Sequence, residues 1–215
     1  VPISYWIGKS VRSAFEKMAR LEDLCQTRKG MVTADNSRYV RFWYELDISK
    51  CGLHNHTRES AKLSGRKWFP YSKGGEFRKW YGNRLYVVDW ENDGYKIQNG
   101  RHPTENRVWA TNFNLDYIFK PNVNWGGIVS NEFSARISFG GELFDAMGSA
   151  GFPKDISLKH IIGFLNSNSC SLFLKTLNPT LGLQAGNISD LPLTNSIDNR
   201  VTDVVDNSIE LAKLD

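Results

Sequence analysis

The sequence is poor in cysteine and has no long apolar segment. Three cysteines, Cys25, Cys51 and Cys170, occur among 215 residues, and no two of them form a Cys-x-x-Cys pair. This pattern argues against a disulfide framework and a zinc ribbon, so reduced thiols are expected. No apolar run approaches the roughly 20 residues that span a bilayer, and residues 1–30 lack the regions of a signal peptide. These absences predict a cytoplasmic protein with no membrane partner.

Charge is unevenly distributed along the chain. Residues 1–104 contain 19 Lys and Arg against 11 Asp and Glu, a net charge of +8. Residues 105–215 contain 8 against 12, a net charge of −4, and the two halves together give the +4 of the whole chain. This asymmetry predicts a basic surface in the first half that can meet a polyanion, although chance clustering of solvated lysines is an alternative.

Residues 66–81 combine basic and aromatic side chains around the pair Gly74-Gly75. This segment contains five Lys and Arg, one acid and six aromatic residues. Such a composition offers cations for phosphates and flat rings for stacking, and glycine lets a backbone approach a ligand closely. On composition alone, a core hairpin with a solvated basic rim explains it equally well.

Local patterns predict short helices and strands in alternation. Ser10 and Ser157 are expected to cap helices, and Asp35 is expected to begin a turn or a cap. A second helical run is predicted over Cys170–Leu177, and an amphipathic helix is predicted from Ser196. The predicted strands are Leu85–Trp90, paired through a Glu91–Gly94 turn with Tyr95–Ile97, followed by Phe113–Phe119 and Gly126–Val129.

Four stretches of the chain carry a family resemblance. They read GMVTADNSRYVRFWYE, KWFPYSKGGEFRKWYGNRLYVVDWENDG, NEFSARISFGGELFDAMGSAGFP and IIGFLNSNSCSLFLKTLNPTLGLQAGNISDLPL. In this order, they resemble the target-recognition region of large adenine-specific DNA methyltransferases, most closely the PglX type of the BREX phage-defence systems and more broadly fused restriction-modification enzymes. The likeness covers most of residues 30–193, and the second and fourth stretches are its most specific parts.

The resemblance implies a module that reads a short duplex DNA sequence. Its fold is expected to be α+β, with a mixed, largely antiparallel sheet and packing helices, similar to the target-recognition domains of type I specificity subunits, plus a C-terminal amphipathic helix. The expected divisions are an N-terminal linker and packing helix over residues 1–29, the DNA-binding domain over 30–194, and the C-terminal helix over 195–215.

Methylation is expected to reside outside these residues. In the family that the chain resembles, a separate domain binds S-adenosylmethionine and methylates the exocyclic amine of adenine. That domain needs Asn or Asp followed by Pro-Pro and an aromatic residue, and the chain contains no Pro-Pro pair. The start without Met also indicates a piece of a longer protein. We therefore expect no catalysis and no cofactor here, and the expected partners are double-stranded DNA, the parent's methyltransferase domain and other defence-system proteins.

The chemistry of duplex DNA divides the candidate residues into two roles. Cations on phosphates supply salt-dependent affinity, and side chains on base edges supply specificity. Bases within a duplex are not available for stacking, so Trp68, Trp80 and Tyr81 are expected to pack beneath the loop. The candidates for phosphate contact are Lys67, Lys73, Arg78, Lys79 and Arg84. The candidates for base reading are Arg38, Arg41, Asn83, Arg136 and Gln184.

Two alternatives involve a metal ion. Asp89, Glu91 and Asp93 near Lys96 could hold a divalent cation for a nuclease, although Asn-Asp-Gly in a turn has a purely conformational role. The segment CGLHNH, residues 51–56, contains Cys51, His54 and His56, all residue types that ligate zinc. Its tight spacing without a fourth ligand favours a polar loop.

A third alternative is a protein-interaction module. The acidic second half and the terminal helix would then dock on the methyltransferase domain or on another defence protein. The two interpretations are compatible, and they differ in whether the apolar stripe of Ile197–Ala212 is covered or exposed.

Overall fold

The computed structural model of the protein describes residues 7–128, 132–178, 182–183, 185–194 and 198–215. Within these ranges it has the expected α+β fold, with largely antiparallel sheets, packing helices and a C-terminal helix. The strands are β1 (Ala19–Arg20), β2 (Cys25–Arg28), β3 (Val40–Phe42), β4 (Trp68–Ser72), β5 (Tyr86–Asp89), β6 (Asn122–Trp125), β7 (Ala135–Ser138), β8 (Leu143–Phe144), β9 (Ala150–Pro153) and β10 (Pro192–Leu193). The helices are α1 (Lys9–Lys17), α2 (Leu21–Leu24), α3 (Asn36–Tyr39), α4 (Arg58–Leu63), α5 (Glu91–Asn99), α6 (Leu158–Leu165), α7 (Asn168–Leu177), α8 (Ala185–Ser189) and α9 (Asn199–Leu214).

The first sheet has the strand order β2-β9-β6-β7, and all its neighbours are antiparallel. Side chains two residues apart on a strand share a face. Val123 and Trp125 of β6 and Ala135 and Ile137 of β7 therefore enter one core cluster together with residues of α6, α7 and α9. This cluster covers the helical side of the sheet.

The second sheet has the strand order β3-β5-β4-β8, in which β4 and β8 run parallel. Phe69 and Tyr71 of β4, Val88 of β5 and Leu143 of β8 belong to a second core cluster. Ala150 and Phe152 of the first sheet's strand β9 belong to this second cluster as well. The two sheets consequently share a core through β9.

The predicted hairpin of Leu85–Trp90 with Tyr95–Ile97 is wrong in its second strand. The β5 strand pairs with β3 and β4, whereas Tyr95–Ile97 lies in α5. Asn92, Asp93 and Gly94 have φ angles of 51°, 60° and 69°, so the predicted change of direction is present as three left-handed residues. These residues direct the chain into a helix, and the positions beside β5 are taken by β3 and β4.

Three helix predictions are confirmed and one cap is wrong. Ser157 caps α6 and Asp35 caps α3, each by accepting a hydrogen bond from a backbone N–H, and α7 covers the predicted Cys170–Leu177 run. In contrast, Ser10 lies inside α1, whose N-cap is Gly8 without a side-chain bond.

The strands predicted over Phe113–Phe119 and Gly126–Val129 are wrong where the structure describes them. Residues 115–119 form turns, and Asn114 and Phe119 have left-handed φ angles of 49° and 67°, which interrupt an extended backbone. The β6 strand ends before Gly126, and Val129 lies outside the described residues.

The C-terminal helix is partly covered. Its predicted start, Ser196–Ile197, lies outside the described residues. Val205 and Ile209 are 1% and 3% exposed in the first core cluster, whereas Val201 and Val204 remain 44% and 61% exposed. The apolar stripe is therefore split between the core and solvent.

The N-terminal segment shares the first core cluster. β1 pairs with β10, and Leu21 and Cys25 are fully buried in that cluster. Burial raises the pKa of the Cys25 thiol to about 12. The division at residue 30 stays a prediction. In the part of the chain that is described, no helix is both long and apolar enough to cross a membrane.

Candidate nucleic-acid interface

Two adjoining clefts share Asn36 and Lys73 in their walls. The larger has a volume of about 950 Å³ and carries Lys29 in its lining. The smaller has a volume of about 450 Å³ and is lined in part by Arg41 and Tyr86. We call the two clefts together the groove. Its cations are supplied by segments that follow β2 and β4 and by β3.

Asp145 holds Lys73 at the wall that the clefts share. Its Oδ2 atom lies 2.8 Å from Lys73 Nζ and 2.8 Å from the Tyr71 hydroxyl, and its Oδ1 atom accepts a 2.8 Å bond from the backbone N–H of Met147. Burial and the adjacent Asp145 charge hold the pKa of Tyr71 well above its ordinary value. The Asp145 side chain is only 8% exposed, so the Lys73 ammonium group is fixed by a buried carboxylate.

The loop of residues 73–85, which joins β4 to β5, is attached to the first sheet. Trp80 has a left-handed φ of 73°, which is rare for a bulky residue, and two backbone hydrogen bonds to β7 hold it there. Trp80 and Tyr81 pack against the first core cluster, and Trp68 is 7% exposed. The three aromatic side chains are therefore packed as predicted, but Trp68 packs with Cys51 and Val87 in a separate small cluster and not beneath this loop.

All five candidates for phosphate contact have a partner inside the protein. The partners are Asp89 for Lys67 at 3.5 Å, Asp145 for Lys73 at 2.8 Å, Asp215 for Arg78 at 3.9 Å, the carbonyl oxygen of Asn166 for Lys79 at 3.3 Å, and both the Tyr81 hydroxyl at 3.2 Å and Glu142 at 3.4 Å for Arg84. The Asp89 and Glu142 side chains are 7% and 5% exposed, so Lys67 and Arg84 neutralise buried carboxylates. Of the five, Lys73 lines the groove.

The candidates for base reading are dispersed. Arg41 lines the smaller cleft, where its Nη1 atom donates to the carbonyl oxygens of Ser37 and Val40. Arg38 is exposed and its guanidinium group lies over the Tyr39 ring. The Asn83 side chain donates to the Glu76 carbonyl oxygen, and Arg136 is only 2% exposed. Gln184 lies outside the described residues.

Arg136 belongs to a buried polar network and faces the interior. Its Nε atom donates to Asn124 at 3.2 Å, and its Nη2 atom has no hydrogen-bond partner among the described residues. Burial lowers the pKa of Arg136 to about 10, although the nearby Glu142 acts in the opposite direction. In this conformation Arg136 supports β6 and β7, and a base edge cannot reach it.

Replacing Glu142 by glutamine is expected to change how stability depends on pH. Burial raises the pKa of Glu142 above its ordinary value of 4.5, while Arg84, Ser138 and Arg136 lower it to a lesser extent. The folded chain therefore holds this proton more tightly than the unfolded chain, and the contribution to stability is lost as the pH rises above about 4.5. The variant should gain stability relative to the parent as the pH rises, measured by urea unfolding between pH 4 and 8. A difference that is independent of pH would contradict this assignment.

The carboxylates of the alternative nuclease site each contact a cation. Asp93 forms a bidentate pair with Arg58, with distances of 2.5 and 2.7 Å. Glu91 lies 2.6 Å from Lys96 and Asp89 lies 3.7 Å from it, and the hydrogen bond from Lys96 lowers the pKa of Glu91. Within the described ranges, no three His, Cys, Asp or Glu side chains are grouped to bind a metal ion.

In the segment of residues 51–56, the Cys51 side chain packs into the protein core. Cys51 is 7% exposed and packs with Trp68 and Val87 in a small core cluster. Burial raises the pKa of its thiol. The thiol is therefore directed into the protein interior.

The sequence did not reveal Lys29 or the contact between Phe42 and Tyr86 as features of the groove. Lys29 lies just after β2 and is exposed, and Phe42 and Tyr86 face each other across β3 and β5. A lysine before glycine carries no specific signal. The ring contact depends on strand pairing between residues more than 40 positions apart.

Comparison with known proteins gives two relatives over the whole chain. The chain is 35% identical over 216 residues to the adenine-specific methyltransferase PglX of Lacticaseibacillus casei (strain Zhang), covering 100% of the chain and 18% of that protein. It is 28% identical over 218 residues to the adenine-specific methyltransferase BrxX of Escherichia coli O9:H4 (strain HS), covering 100% of the chain and 16% of that protein. No family model matches the chain. The chain is thus homologous over its full length to less than a fifth of two adenine-specific methyltransferases.

Proposed function

We propose that the chain is a sequence-specific duplex DNA recognition module of an adenine-specific DNA methyltransferase, in a phage-defence system of the BREX type or another restriction-modification system. The relatives' description as adenine-specific methyltransferases supports the enzyme class. The sequence contains no Pro-Pro pair, so we assign S-adenosylmethionine binding and methyl transfer to another part of the parent protein.

The observation that carries this proposal is the groove with its three cations. Lys29, Arg41 and Lys73 line it, and cations spaced along a groove are what a phosphate backbone requires. Lys29 is exposed and has no ion pair among the described residues, so it can meet a phosphate without first leaving a carboxylate. We therefore add Lys29 to the phosphate contacts and place Arg41 beside the bases or their phosphates.

The other candidates have supporting roles in this proposal. Lys67 and Arg84 form ion pairs with buried carboxylates, so they contribute mainly to the electrostatic potential around the groove. Lys73 contacts Asp145 through one oxygen and lines both clefts, so it can hold a phosphate in addition. Arg38 and Asn83 remain candidates for base edges, because Asn and Arg form the bidentate contacts that read adenine and guanine.

Binding of duplex DNA is expected to weaken as salt rises, and Lys29→Ala should reduce this dependence. Loss of one phosphate contact lowers the slope of log affinity against log salt by about 0.9. The measurement is fluorescence anisotropy with mixed duplexes at several salt concentrations. Because a phosphate contact carries no sequence information, the weakening should be similar on all duplexes.

The matched control is Lys62→Ala. Lys62 is exposed on α4 and lies outside the lining of both clefts. Its loss should leave the slope unchanged. Absence of duplex binding at low salt would overturn the proposed function, and equal slopes for the two variants would remove Lys29 from the interface. Selection from a random duplex pool then tests specificity, since enrichment of one motif is expected.

A further inference from the structure

Three aromatic rings form a continuous stack at the edge of the second sheet. The Phe42 ring centroid lies 4.8 Å from that of Tyr86, with an interplanar angle of 28°. The Phe42 centroid also lies 5.2 Å from that of Tyr44, with an interplanar angle of 8°. Centroid separations in this range are those of stacked aromatic pairs. Phe42 and Tyr86 are register partners of β3 and β5, so the pairing of the strands fixes the stack.

The stack runs from the core to solvent. Tyr86 is the register partner of Tyr71, which is 1% exposed. Tyr86 and Phe42 are partly buried, and Tyr44 at the end is 59% exposed. Trp43 meets Tyr44 edge-on, at an angle of 82°, and is 46% exposed. The accessible ring of Tyr44 is therefore stacked against the partly buried ring of Phe42.

Cations lie beside the two inner rings of this stack, Phe42 and Tyr86, and Tyr44 extends the stack beyond the residues that line the smaller cleft. The smaller cleft is lined by Phe42 and Tyr86 together with Arg41 and Lys73, and Glu45 is the acid in its lining. The Glu45 carboxylate accepts a 2.9 Å hydrogen bond from the backbone N–H of Phe42. Lys73 Nζ lies 6.0 Å from the Tyr86 ring centroid. Although Asp145 contacts Lys73, the cleft lining holds two cations and one acid. Flat rings beside cationic side chains suit a ligand that is both planar and anionic.

We infer that the Tyr44 end of the stack binds an unpaired nucleobase, with Arg41 and Lys73 beside its flanking phosphates. This inference rests on the proposed function. DNA methyltransferases extrude the target base from the duplex, and that leaves its former partner without a pair. A base inside a duplex has both faces covered, whereas an unpaired base can extend the row of rings. A proline-rich peptide also packs on aromatic side chains, but it lacks the negative charge that the cations would meet.

The test uses a short single-stranded oligonucleotide that contains 2-aminopurine, whose fluorescence is quenched by stacking, and duplexes with or without one unpaired nucleotide. Tyr44→Ala is expected to abolish the quenching and to weaken oligonucleotide binding about tenfold or more, because one base–aromatic stack is lost. Tyr44→Phe should retain both properties. The matched control is Tyr95→Ala, because Tyr95 is 66% exposed and makes no ring contact among the described residues.

The outcomes separate this inference from the proposed function. If fully paired duplexes bind but Tyr44→Ala and Tyr95→Ala behave alike on unpaired substrates, the base site is wrong and duplex recognition stands. If paired duplexes do not bind but quenching depends on Tyr44, duplex recognition is wrong and the base site stands. Binding of a proline-rich peptide that depends on Tyr44, without quenching of the oligonucleotide, would overturn the assignment to a base.

Discussion

Asp145→Ala is expected to lower the free energy of unfolding by about 3 kcal/mol, because it leaves buried polar partners without an acceptor. The carboxylate joins Lys73, Tyr71 and the backbone N–H of Met147, each at 2.8 Å. The Tyr71 hydroxyl can still use the carbonyl oxygen of Met31 at 3.0 Å, whereas Lys73 and the N–H lose their contacts. Urea unfolding followed by tryptophan fluorescence measures the change.

The control for Asp145 is Asp155→Ala. Asp155 is exposed in the segment between β9 and α6 and has no ion pair among the described residues, so its loss should stay within about 0.5 kcal/mol. Combining Asp145→Ala with Lys73→Ala should recover part of the lost stability, since the unpaired ammonium group is then removed as well. Equal effects for Asp145→Ala and Asp155→Ala would show that the buried network is not important for stability.

Gly30→Ala is expected to destabilise the protein by about 3 kcal/mol, because a Cβ atom there meets backbone that no side-chain rotation can move. The added carbon would lie 2.3 Å from the Phe144 carbonyl oxygen and 2.4 Å from that of Asp145. Residues 30–31 would have to move away from residues 144–145. This movement would break the 2.8 Å hydrogen bond that the N–H of Met31 donates to the Phe144 carbonyl oxygen. The same unfolding experiment measures this effect.

Gly126→Ala is the matched control for Gly30→Ala. A Cβ atom at Gly126 would lie 3.6 Å or more from its neighbours, which is ordinary van der Waals contact. Its effect should be below about 1 kcal/mol. If Gly30→Ala is as mild as Gly126→Ala, the close approach of Gly30 to β8 does not limit the sequence at this position.

The features that the sequence predicted correctly depend on neighbouring residues. Ser157 and Asp35 cap their helices by accepting nearby backbone N–H groups, and a cap of this kind is visible within four residues. The left-handed turn at 92–94 follows from Asn-Asp-Gly for the same reason. The interaction of β5 with β4 is different, because the partners lie on either side of the loop of residues 73–85. Alternation along one strand does not identify a partner across such a loop.

The candidate site was predictable only in part. Lys73 was found from the density of basic residues in residues 66–81, Arg41 was a candidate for base reading, and both line the groove. Arg136 was misplaced as a base-reading candidate because charged side chains are almost always exposed, whereas every residue of β7 is buried. The ion pairs of Lys67 and Arg84 with buried carboxylates arise from tertiary packing, and no local pattern shows them.

The sharing of β9 between the two sheets connects two cations of the groove, Lys29 and Lys73. Lys29 follows β2, which pairs with β9, and Lys73 follows β4, whose Phe69 and Tyr71 lie in the same core cluster as Phe152 of β9. The backbones of the two lysines are thus connected through one shared core, and Asp145 also holds the Lys73 side chain. In the proposed role, this connection would fix how far apart the two lysines meet the phosphate backbone, and so would set the register of the module before any base is read.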